Sequence, residues 1–109
     1  MNFKVTALPH YLREAKRLTK KYPSLKREIE ELLKHLINNP QLGTPIGRHC
    51  YKIRLAISSK GAGKSGGARM ITCVIYISKT VYLLSIYDKA EQSDITIKEI
   101  KTLLKAIPD

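Results

Sequence analysis

Acidic residues are missing from the middle of this 109-residue chain: none occurs between Glu31 and Asp88. The cations of that stretch therefore have no neutralising neighbour in sequence. Unpaired lysine and arginine are usually met by solvent or by an anionic partner. Cysteine is nearly absent. Cys50 and Cys73 are the only two, and they match neither a CxxC motif nor a zinc spacing. Neither a disulfide framework nor a bound metal is expected, and a reducing cytoplasm fits. The N-terminal MNFKVTAL has no basic leader followed by a long apolar run, which argues against a signal peptide. No apolar run approaches the length that spans a membrane, and repeats, linkers and low-complexity tails are missing too.

What is present is a strongly basic chain with a net charge of +11 and 43% hydrophobic residues. The length suits one domain, residues 1–109, able to bury roughly two-thirds of its unfolded surface. The charge favours nucleic acid or another polyanion as partner. A merely soluble basic protein is the plain alternative.

Residues 2–7 alternate Phe3, Val5 and Ala7 with Lys4 and Thr6, the pattern of a short strand. Pro9 suits a first helical turn, and Leu8, Tyr11, Leu12, Ala15, Leu18 and Tyr22 form one stripe at helical spacing, ended by Pro23. Ser24 can cap a second helix with the stripe Leu25, Ile29, Leu32, Leu33, Leu36 and Ile37, ended by Asn38, Asn39 and Pro40. So short a connection implies an αα-hairpin. Residues 41–49 read as a loop. In YKIRLAISS, Tyr51, Ile53, Leu55 and Ile57 alternate with Lys52, Arg54, Ala56 and Ser58, giving one apolar and one cationic face. KGAGKSGGA then leads to a second strand, RMITCVIY, and a tight turn at Ser78, Lys79 and Thr80 leads to VYLLSIY, which reads as a strand covered on both faces. DKAEQSD is a polar connection. Thr96 with Glu99 makes a capping box for a last helix carrying Ile97, Ile100, Leu103, Leu104 and Ile107. The order β, α, α, β, β, β, α predicts an α+β fold: a small antiparallel meander, the helical hairpin on one face and a short C-terminal helix.

A symmetric loop would set Ser58 opposite Arg69. A turn with Ile77 opposite Val81 would set Tyr87 opposite Ile71 and Lys89 opposite Arg69. Under these registers Lys52, Arg54, Arg69, Tyr87 and Lys89 share one face. Each also has a plain reading: Lys52 and Arg54 as a solvated sheet face, Arg69 as a solvated strand end, Tyr87 as core. The histidines His10, His35 and His49 are weaker candidates. KGAGKSGG matches part of a phosphate-binding P-loop, but Ser58 stands where its first glycine is required and a strand, not a helix, follows. The glycines instead allow backbone amides, Lys60 and Lys64 to approach a phosphate chain, or simply make a flexible hairpin loop.

KIRLAISSKGAGKSGGARMITCVIY, followed by YLLSIYDKAEQSDI, resembles the RelE superfamily of bacterial toxins, and within it the HigB-type branch with a KGxGKxGGxR loop. The resemblance covers nearly the whole chain. It implies a RelE-like fold and a ribosome-dependent messenger-RNA endonuclease that inhibits translation and is held inactive by a cognate antitoxin. Lys52 and Arg54 match two basic positions of the family, Arg69 the arginine opening the next strand, and Lys89 falls in the segment after the last strand. Ala90 stands where relatives have a catalytic arginine and Thr96 roughly where they have a catalytic tyrosine. Those roles pass to Tyr87, Lys89 or the loop lysines, or activity is weaker.

The chemistry can proceed without a metal. The RNA 2′-hydroxyl attacks the adjacent phosphate, which requires a base, an acid and cations for the phosphorane. A lysine crowded by cations can act as base, whereas arginine stays protonated and stabilises charge. The expected assignment is Arg69 to the scissile phosphate, Lys52 and Arg54 to proton transfer and phosphate binding, and Lys89 to the acid. Arg69 should be dispensable for folding, as a residue at a strand end. Lys16, Arg17, Lys20 and Lys21, on the polar side of the first helix and away from the site, are expected to contact ribosomal RNA. Two other readings remain: a gyrase poison of the ParE type on the same fold, and a non-catalytic RNA-binding module.

Overall fold

Alternation from Tyr51 onward produces a strand whose apolar side chains Ile53, Leu55 and Ile57 all enter the main core. Around it, the computed structural model describes residues 2–61 and 63–108. The elements are β1 (Lys4–Ala7), α1 (Pro9–Lys21), α2 (Leu25–Asn38), β2 (Thr44–Gly47), β3 (Cys50–Leu55), β4 (Ala68–Ile75), β5 (Thr80–Asp88) and α3 (Ile97–Leu104). Two short 3₁₀ turns, Ser58–Lys60 and Lys64–Gly66, shape the connection from β3 to β4.

The five strands form one sheet in the order β1-β5-β4-β3-β2. The meander β3-β4-β5 is antiparallel as expected, but the N-terminal strand closes the sheet by lying parallel to β5. Residues 44–47, expected as loop, are an edge strand paired with β3. The stripes of α1 and α2 (Tyr11, Leu18, Leu25, Ile29, Leu36) pack with Met70, Val74, Val81, Leu83 and Ile86 on one face. On the other face Ile100 of α3 covers Cys50, Ile71, Cys73, Leu84 and Tyr87. The α+β architecture is therefore the expected one, with a mixed sheet in place of an antiparallel one.

Both registers differ from the symmetric ones, and by even steps. Arg54 faces Arg69, not Cys73, because residues 56–67 form a longer connection than a symmetric turn. Arg69 in turn faces Tyr87, not Lys89. Since side chains alternate with period two, even slips keep each residue on its expected face. Further along, Ile71 pairs with Ser85 and Thr72 with Leu83, so Leu84 is an extra residue in β5. β1 ends opposite Leu83. Beyond it, Glu14 of α1 serves the bulged strand, accepting from the Ser85 hydroxyl at 2.8 Å and the Ile86 N–H at 3.1 Å.

Local signals hold at α3 and fail at α2. Thr96 and Glu99 form the reciprocal capping box. Ser24 does not cap α2; its hydroxyl donates to the Ser59 hydroxyl and accepts from the Ser59 N–H, both at 2.9 Å. The Ser58 hydroxyl donates to Glu28 at 2.9 Å. The segment after β3 is thus tied to α2. Cys50 and Cys73 face each other across β3 and β4 as buried free thiols. No helix among the described residues is long and apolar enough to cross a membrane.

Gly67 marks where this tied segment rejoins the sheet. A Cβ there would lie 2.0 Å from the Leu55 carbonyl oxygen, so any side chain forces the strands apart. We expect Gly67→Ala to destabilise the fold by about 1–3 kcal/mol, the usual range for overpacking. Thermal melting should fall by roughly 4–8 °C per kcal/mol; an unchanged melting temperature would contradict this close approach.

Candidate active site

Arg54, Arg69 and Tyr87 are direct partners across β3, β4 and β5, so their side chains share one face. At about 4.8 Å per strand the row spans roughly 10 Å, the scale of one nucleotide. Lys52, two residues back along β3, points the same way. Lys89 does not join the row. β5 ends at Asp88, the Lys89 side chain is exposed, and its N–H donates to the Gly67 carbonyl at 3.0 Å.

Arg69 is not a solvated strand end. It is 3% exposed. Its Nη1 donates to the carbonyls of Lys64 (2.7 Å) and Ala68 (3.1 Å), and its Nη2 to that of Ser65 (3.2 Å). The loop folds back over the guanidinium and supplies main-chain acceptors. Three of its five N–H donors are thereby occupied. The expectation that Arg69 is dispensable for folding is corrected accordingly, since its loss would leave those carbonyls unmatched. Arg54 remains exposed. Neither guanidinium has a carboxylate within ion-pair distance among the described residues. Like charges set directly opposite each other repel, and an anion between them would relieve that repulsion.

The loop is pinned, not a loose phosphate cradle. Lys60 donates to Asp88 Oδ1 at 2.7 Å and to the Gly66 carbonyl at 3.2 Å. Asp88 is 1% exposed. Its Oδ1 also accepts from the Ala90 N–H at 2.9 Å, and its Oδ2 from the Tyr22 hydroxyl at 2.6 Å. Burial alone would raise the Asp88 pKa. The hydrogen bonds from Lys60, Tyr22 and Ala90 together outweigh it and hold the carboxyl below its ordinary value. Lys64 stays exposed, near the row.

Two acidic side chains reach the cations from the far end of the sequence gap. Asp94 lies 3.2 Å from Lys52 Nζ, and Glu91 pairs with Arg17 at 2.9 Å and Lys21 at 3.1 Å. Glu91 thereby ties the basic side of α1, which packs on the opposite sheet face from Tyr87, to the turn after β5. Lys16 and Lys20 are exposed and enter no ion pair among the described residues. The Tyr87 hydroxyl is buried without a hydrogen-bond partner. Burial first, and the Asp94 carboxylate second, push its pKa up to about 12, so it stays neutral at physiological pH and can donate a proton but not accept one. Thr96 is spent on its cap and Ala90 has no reactive group, so neither side chain adds a proton-transfer group to the row. Among the described residues no group of three or more His, Cys, Asp or Glu is placed to hold a metal.

The histidines separate. His10 sits 3.0 Å from Glu14. His49 meets the Tyr76 ring edge-on, at the opposite end of β3 from the row. His35, by contrast, lines a cavity of about 630 Å³ together with Lys52, Arg54 and Lys64. The helical pattern put His35 on α2, and nothing local in sequence links it to β3.

The model of one family, described as the RelE toxin of the RelE/RelB toxin–antitoxin system, matches residues 3–107. The chain belongs to the RelE toxin family. Solved structures share the fold at low identity. An Escherichia coli RelE with two arginine-to-alanine substitutions, in the free state, is 18% identical with a TM-score of 0.66, covering 99% of this chain and 100% of that one. The isolated E. coli RelE toxin is 16% identical with a TM-score of 0.62, covering 96% and 99%. A chain of the intact E. coli RelBE toxin–antitoxin complex is 18% identical with a TM-score of 0.60, covering 79% and 95%. These matches reach the RelE family and do not single out its HigB-type branch.

Asp88 is the point where this RelE-family site can be tested for integrity. We expect Asp88→Asn to cost about 2–3 kcal/mol, somewhat less than a fully buried broken pair because Lys60 keeps some solvent. The carboxyl's folded pKa lies below its unfolded value, so its contribution is full at neutral pH and is lost as pH falls through the acid range below about 4. Denaturant unfolding of both proteins across that range should show the difference shrinking with acid; a difference independent of pH would contradict the assignment.

Proposed function

We propose that this RelE-family toxin is a ribosome-dependent endoribonuclease that cuts messenger RNA in the cytoplasm by attack of a 2′-hydroxyl on the adjacent phosphate. The observation that carries this reading is the opposed pair Arg54 and Arg69, two guanidiniums on neighbouring strands without a carboxylate partner among the described residues. A pentacoordinate phosphorane is a dianionic group that such a pair is arranged to meet. Arg54, exposed, contacts the phosphate. Arg69 acts from behind, adding positive field and holding the loop that carries Lys64. Lys52 is the proton-transfer group on the same face, and an RNA phosphate would replace the exposed Asp94 as its partner. The same exchange would uncover the Tyr87 hydroxyl, a neutral donor suited to the leaving 5′-oxygen. Lys89 would serve as an outer phosphate contact.

The antitoxin is read from the same charge. The E. coli RelBE structure is a toxin–antitoxin complex, and a further structure holds RelE with an antitoxin RelB peptide. For this chain an acidic or amphipathic segment laid over the cationic row would block it. Lys16 and Lys20, with Arg17 and Lys21 once released from Glu91, would contact ribosomal RNA.

Single-turnover cleavage on ribosomes programmed with a defined message tests the reading. Wild type should cut within the ribosome-bound codon, with growth arrest on expression and rescue by an antitoxin. DNA damage without message cleavage would instead indicate a ParE-type poison, and neither activity a binding module. Arg54→Ala should lower the rate by about 10²–10³ with unchanged melting, as for loss of one transition-state donor. Arg69→Ala should lose both rate and stability, and Arg69→Lys should recover only part of each. A folded Arg54→Ala protein cutting within a few-fold of wild type would sink the phosphate role.

Replacing Lys16 and Lys20 together with alanine should flatten the log–log salt dependence of ribosome binding by about 0.7–0.9 for each RNA phosphate left without its lysine. An unchanged slope would remove α1 from the docking surface.

A further inference from the structure

The cavity behind the cationic row is not explained by phosphate chemistry alone. Lys52 and Arg54 belong to both, while His35 and Lys64 complete its polar lining and Leu32 and Leu42 give it apolar walls. Two backbone features keep it open. β2 pairs with β3 only as far as Lys52, so the outer edge of β3 beyond that residue faces the cavity. Gly43, at φ +99°, brings the approach to β2 so close to β3 that a Cβ would lie 2.5 Å from the Lys52 carbonyl oxygen. The result is a cleft with a cationic mouth, an apolar wall, an imidazole from the last turn of α2, and an open strand edge.

Resting on the endonuclease reading above, we propose that this cleft holds one unstacked nucleotide of the same RNA strand, next to the scissile phosphate, with His35 as a positioning residue. The volume of about 630 Å³ lies in the range of small-ligand sites. Single-stranded RNA is recognised by splaying a base out, stacking it on an aromatic or guanidinium plane and reading its edges by hydrogen bonds. His35 supplies the plane, Leu32 and Leu42 the apolar contact, and the β3 edge the N–H and C=O groups for a base edge. Arg54 and Lys64, without ion-pair partners among the described residues, take the flanking phosphates. Because Lys52 and Arg54 line both regions, a strand crossing the cationic row enters the cleft without a gap. A cleft that grips a neighbouring base also gives the enzyme a preference at one codon position.

The test compares wild type, His35→Ala and His35→Phe in single-turnover cleavage on programmed ribosomes. Each is measured with an intact message and with messages carrying an abasic site on either side of the cleaved bond. Base stacking on an aromatic group is typically worth about 1–3 kcal/mol, or roughly 5–150-fold. We expect His35→Ala to raise the half-saturating concentration of toxin by about ten-fold, with less effect on the rate at saturation. His35→Phe should restore most of that loss, and wild type and His35→Ala should become equal on one of the two abasic messages. His35 is exposed on its helix, so thermal melting should be unchanged. Equal half-saturation for wild type and His35→Ala, or a difference that persists on both abasic messages, overturns the inference while leaving the endonuclease standing. No cleavage by wild type overturns both.

Discussion

A carboxylate held almost wholly out of water must find a partner for each oxygen, and the cost of failing is several kcal/mol. Asp88 meets that demand from three directions: the end of α1 through Tyr22, the β3–β4 connection through Lys60, and the turn after β5 through the Ala90 N–H. Lys60 also rests 5.6 Å from the Tyr22 ring centroid, a cation–π contact. Lys60 then reaches the Gly66 carbonyl. Fixing Gly66 fixes the turn whose Lys64 and Ser65 carbonyls hold Arg69. The guanidinium of Arg69 is thus tied to one buried anion, Asp88, which adjoins Tyr87 on β5. Such a pair adds little net stability against an apolar substitute. Its effect here is geometric, since it selects one conformation for a glycine-rich connection that has many.

The local half of this fold was legible in the residues. Periodicity located both long helices and the three meander strands, and the Thr96–Glu99 box marked the start of α3. β2 was hidden by its own composition, since TPIG offers two turn formers in four residues. Its hairpin also turns on Arg48 and His49, both at positive φ, where Asn-Gly would have been the readable signal. The parallel partner of β1 could not be read, because pairing across most of the chain leaves no local pattern. Parity was readable and register was not. Apolar alternation forbids odd slips, but even slips cost nothing in burial pattern, so the face of Lys52, Arg54, Arg69 and Tyr87 was correct while their partners were not.

The site was less legible than the fold for a related reason. Arg69 looked like a solvated strand end because its acceptors are main-chain carbonyls, which carry no mark in sequence. Lys60 looked free because Asp88 lies across the whole meander. The acidic gap itself misled: two of its cations, Lys60 and Lys52, pair with carboxylates from its far border, Asp88 and Asp94. What survives as uncompensated charge is therefore smaller and better placed than composition implied. Arg54 and Lys64 remain at the mouth of a cleft, with Arg69 fixed behind them.

The parallel pairing of β1 with β5 bears on how the protein is made. Synthesis runs from the N-terminus, so residues 4–7 emerge well before residues 80–83, their partners. Until then β1 has no strand to join, and the stripes of α1 and α2 lack most of the sheet they pack on. Long-range pairings of this kind form late. A nascent chain stalled before β5 would carry its helices and loop, but neither the Asp88 clamp nor a complete cationic row. A chain interrupted before β5 therefore lacks Tyr87, one end of the row, and Asp88, the anchor of Lys60.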